Sequence, residues 1–125
     1  MKCFGWSPIA AALAVSLLLV GCESEQAKLE DLYTKAAEAI EAGDMATAIP
    51  LLDELIAAAP QPGLYLERAQ AKLKSGDDAG AKADCQEGLK LDPEDRDLKW
   101  LLAEMKKDSK ARFKGKNQKP PGRSK

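Results

Sequence analysis

Three cysteines, no histidine and a scatter of carboxylates are the residues of this 125-residue chain whose types suit chemistry. Without histidine there is no imidazole base, no Ser-His-Asp triad and no His-ligated zinc. Cys3, Cys22 and Cys85 are too few and too far apart for a disulfide framework or a four-thiolate site, so no metal or cofactor is expected. Cys85 falls among apolar positions with no clustered base to lower its pKa, and reads as a buried structural thiol rather than a nucleophile. The pairs Asp77-Asp78 and Glu94-Asp95 stand where helical patterns begin, and capping accounts for them. No set of residues is left for catalysis, so the expectation is a protein that is not an enzyme.

Cys22 has a more telling context. Lys2 gives a positive start, and Ile9 to Val20 is a run of 12 small or apolar residues broken only by Ser16. As a helix such a run rises about 18 Å, well short of a hydrocarbon core of about 30 Å. A secretory signal segment is therefore favoured over a membrane span. The run ends in Leu19-Val20-Gly21-Cys22, which resembles the lipobox of bacterial lipoproteins. The resemblance implies cleavage between Gly21 and Cys22 and diacylation of the Cys22 thiol. This covalent lipid is the only added group expected, and it is a stable membrane anchor because each buried methylene contributes about 0.8 kcal/mol. Glu23 stands where an aspartate would commonly retain such a protein at the inner membrane. The resemblance thus implies an envelope location, at the outer membrane facing the periplasm in a Gram-negative source.

The formal charge of −1 conceals a division. Cys22 to Met105 carries 19 acidic and 9 basic side chains, whereas Lys106 to Lys125 carries 9 basic ones and only Asp108 acidic. The expected organisation is a signal segment over 1–21, a lipidated polar tether over 22–26, a helical domain over 27–107 and a disordered basic tail over 108–125.

Apolar residues in the helical domain recur at three and four. Leu29, Leu32, Tyr33, Ala36, Ala39 and Ile40 form one stripe; Ala48, Leu51, Leu52, Leu55 and Ile56 form the next. Tyr65, Leu66, Ala69 and Leu73, then Ala81, Cys85, Leu89 and Leu91, repeat the layout. The punctuation repeats too: Gly43-Asp44 and Gly76-Asp77 are 33 residues apart, as are Pro60 and Pro93. Sliding the chain by 33 also pairs Ala36 with Ala69 and Ala48 with Ala81. Glycine permits the positive φ that ends a helix, the following aspartate caps the next one, and proline stops it. Pro50 falls near the start of its helix, where a kink is expected. Leu98, Leu101, Leu102 and Met105, with Trp100 beside them, mark a last helix. A period in this range signals stacked helical hairpins.

The pattern resembles the tetratricopeptide repeat, a helix–turn–helix unit. The matches are Gly43-Asp44 with Ala48, Leu52 and Pro60, and Gly76-Asp77 with Ala81, Cys85 and Pro93; Lys90-Leu91-Asp92-Pro93 is close to the family's repeat ending. Lys35 and Arg68 depart from it, standing where an apolar residue is common, and Gly88 replaces the usual alanine. The expected fold is all-α: two such repeats and a C-terminal capping helix, an α-solenoid fragment.

In that family the first helices of successive hairpins line a concave, partner-binding face. Carried over, the exposed candidates are Glu30, Tyr33, Ala37, Leu66, Gln70, Lys74, Arg96 and Lys99. The function expected is a lipid-anchored, non-catalytic protein–protein interaction module, an adaptor or assembly factor, with a protein or peptide partner. Two repeats are few for a stable stack, so self-association is a second expectation. The alternative is a surface-binding protein acting through its basic tail on anionic lipid or cell wall. Export makes nucleic acid an unexpected partner.

Overall fold

The computed structural model describes residues 8–114 and 122, with side chains from Ser24 onward. Those residues form five helices and no strand: α1 (Pro8–Ala42), α2 (Met45–Ala58), α3 (Pro62–Lys74), α4 (Asp78–Leu91) and α5 (Arg96–Met105). The protein is all-α. None of the described helices is long and apolar enough to cross a membrane.

Two connections are built alike from local hydrogen bonds. At the end of α1, Gly43 has φ +77°, its N–H donates to the Ile40 carbonyl (3.1 Å), and the Asp44 N–H donates to the Ala39 carbonyl (2.9 Å). At the end of α3, Gly76 has φ +85°, its N–H donates to the Leu73 carbonyl (3.1 Å), and the Asp77 N–H donates to the Lys72 carbonyl (2.8 Å). Both are Schellman turns, which only a residue tolerant of the left-handed region closes without strain. The same aspartates then cap the next helix: Asp44 accepts the Thr47 N–H at 3.1 Å and Asp77 accepts the Gly80 N–H at 2.9 Å. One residue thus ends a helix with its N–H and starts another with its carboxylate.

Short connections force neighbouring helices to run antiparallel, so α1, α3 and α5 point the same way. Each helix packs on the next in sequence, and α3 also touches α5. The core lies in two clusters. Ala36, Leu52, Leu55, Ile56 and Leu64 join α1, α2 and α3; Leu66, Ala69, Ala81, Cys85, Leu98 and Leu101 join α3, α4 and α5. The paired alanines Ala36 and Ala69, and Ala48 and Ala81, are all fully buried, letting helix axes approach closely. Gly88 is another close approach. A Cβ there would lie 2.6 Å from a Leu98 methyl and 3.1 Å from Tyr65 Cβ.

Several expectations need correction. The backbone of segment 22–26, expected as a lipidated polar tether, is helical and continuous with α1. No glycine or proline lies between Cys22 and Gly43, and Glu, Gln, Ala and Lys all favour helix. Residues 1–7 of the expected signal segment lie outside the described residues, and residues 8–23 are described by backbone alone. Leu91, expected in a buried stripe, is exposed. The chain does not leave the fold after α5: residues 108–114 turn back onto it. Residues 115–121 and 123–125 of the tail lie outside the described residues.

Candidate interaction surface

The open face between α1 and α3 carries two adjoining hollows that share Tyr33. The larger, about 450 Å³, is lined by Leu29, Glu30, Tyr33 and Thr34 of α1, by Leu55 and Ala59 behind them, and by Gln61 and Leu64 where α3 begins. The smaller, about 190 Å³, lies towards the C-terminal ends of the same helices, between Tyr33, Ala37, Ile40 and Glu41 on one side and Glu67, Gln70, Ala71 and Lys74 on the other, with Met45 at its end. Tyr33 stands between them, 47% exposed, and its hydroxyl donates to Glu67 Oε1 at 3.1 Å. This bond spans 34 residues and links α1 to α3.

Of the eight candidates for a binding face, five meet here: Glu30, Tyr33, Ala37, Gln70 and Lys74. Leu66 does not. It is buried in the C-terminal cluster, because α3 lies between its neighbours and carries two apolar faces, with Leu64 turned to one cluster and Leu66 to the other. Arg96 and Lys99 are exposed on α5 and line neither hollow; Lys99 instead pairs with Glu94 at 2.9 Å. The groove has an apolar floor, three carboxylates (Glu30, Glu41 and Glu67) and one ammonium (Lys74).

Cys85 is fully buried, and burial followed by the neighbouring Asp84 charge pushes its thiol up to about 12. At neutral pH it is a protonated packing group, not a nucleophile. Among the described residues no three of Cys, Asp and Glu converge closely enough to hold a metal ion. The Cys22 side chain lies outside those described.

Beside the groove is an ionic clamp that sequence reasoning missed. Arg68, in the apolar register of α3, reaches both neighbours. Its Nε and Nη2 donate to the two oxygens of Asp84 on α4 at 3.0 and 2.6 Å, and its Nη1 pairs with Asp53 on α2. Lys72 meets the same Asp84 at 2.9 Å, and the guanidinium lies 5.5 Å from the centre of the Tyr65 ring. Burial opposes the Arg68 charge, but the Asp84 and Asp53 carboxylates outweigh it and its pKa is raised. Only a planar, multiply donating cation spans two helices in this way. The signal was present in the sequence as a cation within an apolar stripe. Its partners are 15 and 16 residues away, and no local pattern names them.

A second missed feature closes the far side of α5. Trp100 packs against Phe113, ring centroids 5.6 Å apart and tilted by 51°. Glu104 is buried, pairs with Lys107 and accepts the Phe113 N–H at 2.8 Å. Arg112 donates to Asp78 at 2.6 Å and, at 3.1 Å each, to the Met105 and Lys107 carbonyls that end α5.

No protein family, curated protein or solved structure matches this chain.

Proposed function

We propose that this protein is a lipid-anchored, non-catalytic protein–protein interaction module, an adaptor or assembly factor of the bacterial cell envelope. Two tetratricopeptide-like repeats and a closing helix form its body, and the face between α1 and α3 receives a segment of a protein partner. The observation that carries this reading is the α1–α3 groove: five sequence-chosen positions on two helices converge on it, and Tyr33 stands exposed at its centre. The repeated turns at Gly43-Asp44 and Gly76-Asp77 support the tandem-repeat assignment, since they match hydrogen bond for hydrogen bond. Leu19-Val20-Gly21-Cys22 after an apolar run supports the anchor.

Two experiments test the two halves of the proposal. Mass spectrometry of the membrane-bound protein should find a chain starting at a lipid-bearing Cys22; an unmodified thiol, or retention of residues 1–21, sinks the anchor. A photo-reactive residue placed at Tyr33 or at Gln70 should cross-link to one common partner in the envelope, while the same residue at exposed Ala83 on α4 should not. Equal labelling at all three positions, or none in the groove, overturns the assignment of that face.

A further inference from the structure

Among the described residues α5 is the last helix, and no further described helix covers its outer side. The chain covers that side itself. After the helix ends at Met105, residues 108–114 turn back, and what they place against the helix is an arginine followed by an aromatic. The Arg112 guanidinium fits between the Asp78 carboxylate and the free carbonyls at the C-terminus of α5 (2.6, 3.1 and 3.1 Å), where the helix dipole favours a cation. The Phe113 ring lies on Trp100, and its N–H is taken by the buried Glu104 carboxylate at 2.8 Å. Further on, the Gly122 N–H donates to Asp97 Oδ1 at 2.8 Å, at the opposite end of the same helix.

The cover carries two built-in costs. Phe113 has φ +56°, a region that an aromatic side chain avoids. The Trp100 Nε1–H, on the ring that Phe113 packs against, is buried with no hydrogen-bond partner among the described residues, and a buried donor left unpaired opposes the state that buries it. Both costs vanish when the segment lifts: Phe113 relaxes and the indole N–H reaches water. The charge pair holding it, Arg112 with Asp78, has a half-exposed carboxylate, and salt weakens it.

We propose that the α4–α5 end of the molecule is a docking surface for an arginine–aromatic segment, and that the chain's own Arg112-Phe113 occupies it as a displaceable latch. The surface supplies a carboxylate and two carbonyls for the guanidinium, an indole face for the ring and a second carboxylate for the backbone N–H between them. It is distinct from the α1–α3 groove, so the proposal stands or falls independently of the function assigned to that groove.

The test uses the full chain with Trp6→Phe, which leaves Trp100 as the sole indole. Arg112→Glu, which faces Asp78 with a like charge, should shift Trp100 emission to the red and open it to acrylamide quenching, while far-UV helicity and cooperative urea unfolding persist. Adding Asp78→Lys to Arg112→Glu should restore shielding only in part, because the ion pair is re-formed with its signs exchanged while the Met105 and Lys107 carbonyls lose their donor. A synthetic peptide of residues 108–122, added to the Arg112→Glu chain with Asp78 intact, should shield Trp100 saturably. The same peptide carrying Phe113→Ala should not. Trp100 that stays shielded in Arg112→Glu overturns the latch. So does loss of helicity together with shielding, which makes the segment part of the core, and so does equal shielding by both peptides, which reduces the contact to unspecific charge attraction.

Discussion

Asp84 is a buried carboxylate shared by two cations. Its side chain is 4% exposed and receives both Arg68 and Lys72, whereas Asp53, the other Arg68 partner, is 53% exposed. Removing one member of a buried ion pair leaves uncompensated charge, while an exposed pair is screened by water. Asp84→Asn should therefore lower unfolding free energy by about 2 kcal/mol, less than a fully buried pair because Arg68 keeps Asp53. Asp53→Asn should cost less than about 1 kcal/mol. Urea denaturation of the two variants separates them, and equal losses would mean that the clamp on α4 carries no special weight. A different kind of dependence belongs to Asp44. The hydrogen bonds from Thr47, side chain first and then backbone, hold its carboxyl below the usual aspartate range. A pKa lowered on folding contributes stability that is present above the unfolded value and is lost as pH falls through the folded one. Helicity followed by circular dichroism through acid titration should show this loss. Asp44→Asn, which caps without titrating, should remove that component and leave neutral-pH helicity nearly unchanged.

At the scale of the helix, the repeated alanines set the spacing. Ala48 on α2 and Ala81 on α4 are fully buried, and Ala46 is exposed. Leucine at either buried site over-packs a tight crossing and should cost about 1–3 kcal/mol, while Ala46→Leu should cost little. Similar losses at all three sites, measured by thermal or urea unfolding, would contradict the helix faces described above. Gly88 sets local and tertiary preference against each other. Within α4, alanine in place of glycine should gain about 1 kcal/mol of helix propensity. Its Cβ, however, would meet a Leu98 methyl at 2.6 Å and Tyr65 Cβ at 3.1 Å, and the second of these cannot swing aside. The collision outweighs the propensity gain, so Gly88→Ala should lower the unfolding midpoint. A rise would show that α4 has room to move away from α3 and α5.

For the whole molecule, what matters is the distribution of charge about the helical body. Lys106, Lys110 and Lys114 are exposed, whereas the Arg112 side chain is only 16% exposed and faces inward onto Asp78. The tail is thus divided between a cation used inside the fold and others turned to solvent. Attraction of those others to an anionic surface is long-ranged and screened, with a Debye length falling from about 10 Å at 0.1 M salt to about 3 Å at 1 M. A non-lipidated chain starting at Glu23 should bind anionic vesicles in low salt and leave them at 1 M. Deleting 108–125 should abolish the binding, because the remaining body is strongly acidic. Binding that survives either treatment in vesicle co-sedimentation would place the contact elsewhere on the molecule.

The helical class and the positions of the turns were legible in the sequence because they depend on neighbours. Gly43-Asp44 and Gly76-Asp77 close hydrogen bonds within five residues, and a glycine before an aspartate encodes both the stop and the next start without help from the rest of the chain. The apolar period likewise located Ala36, Leu52, Ala69 and Leu98 in the core. Tyr33, Ala37, Gln70 and Lys74, carried over from the repeat resemblance, line one hollow between α1 and α3. Apolar spacing puts Leu66 in a buried stripe; the carry-over from the resemblance misplaces it on the open face, because α3, enclosed by its neighbours, has two buried faces. Arg68 with Asp53 and Asp84, and Arg112 with Asp78, join residues 15 to 34 positions apart. Nothing local distinguishes those cations from solvated ones. Their partners exist only after the helices have stacked, when the low-dielectric surface between them makes pairing the alternative to an unpaired buried charge.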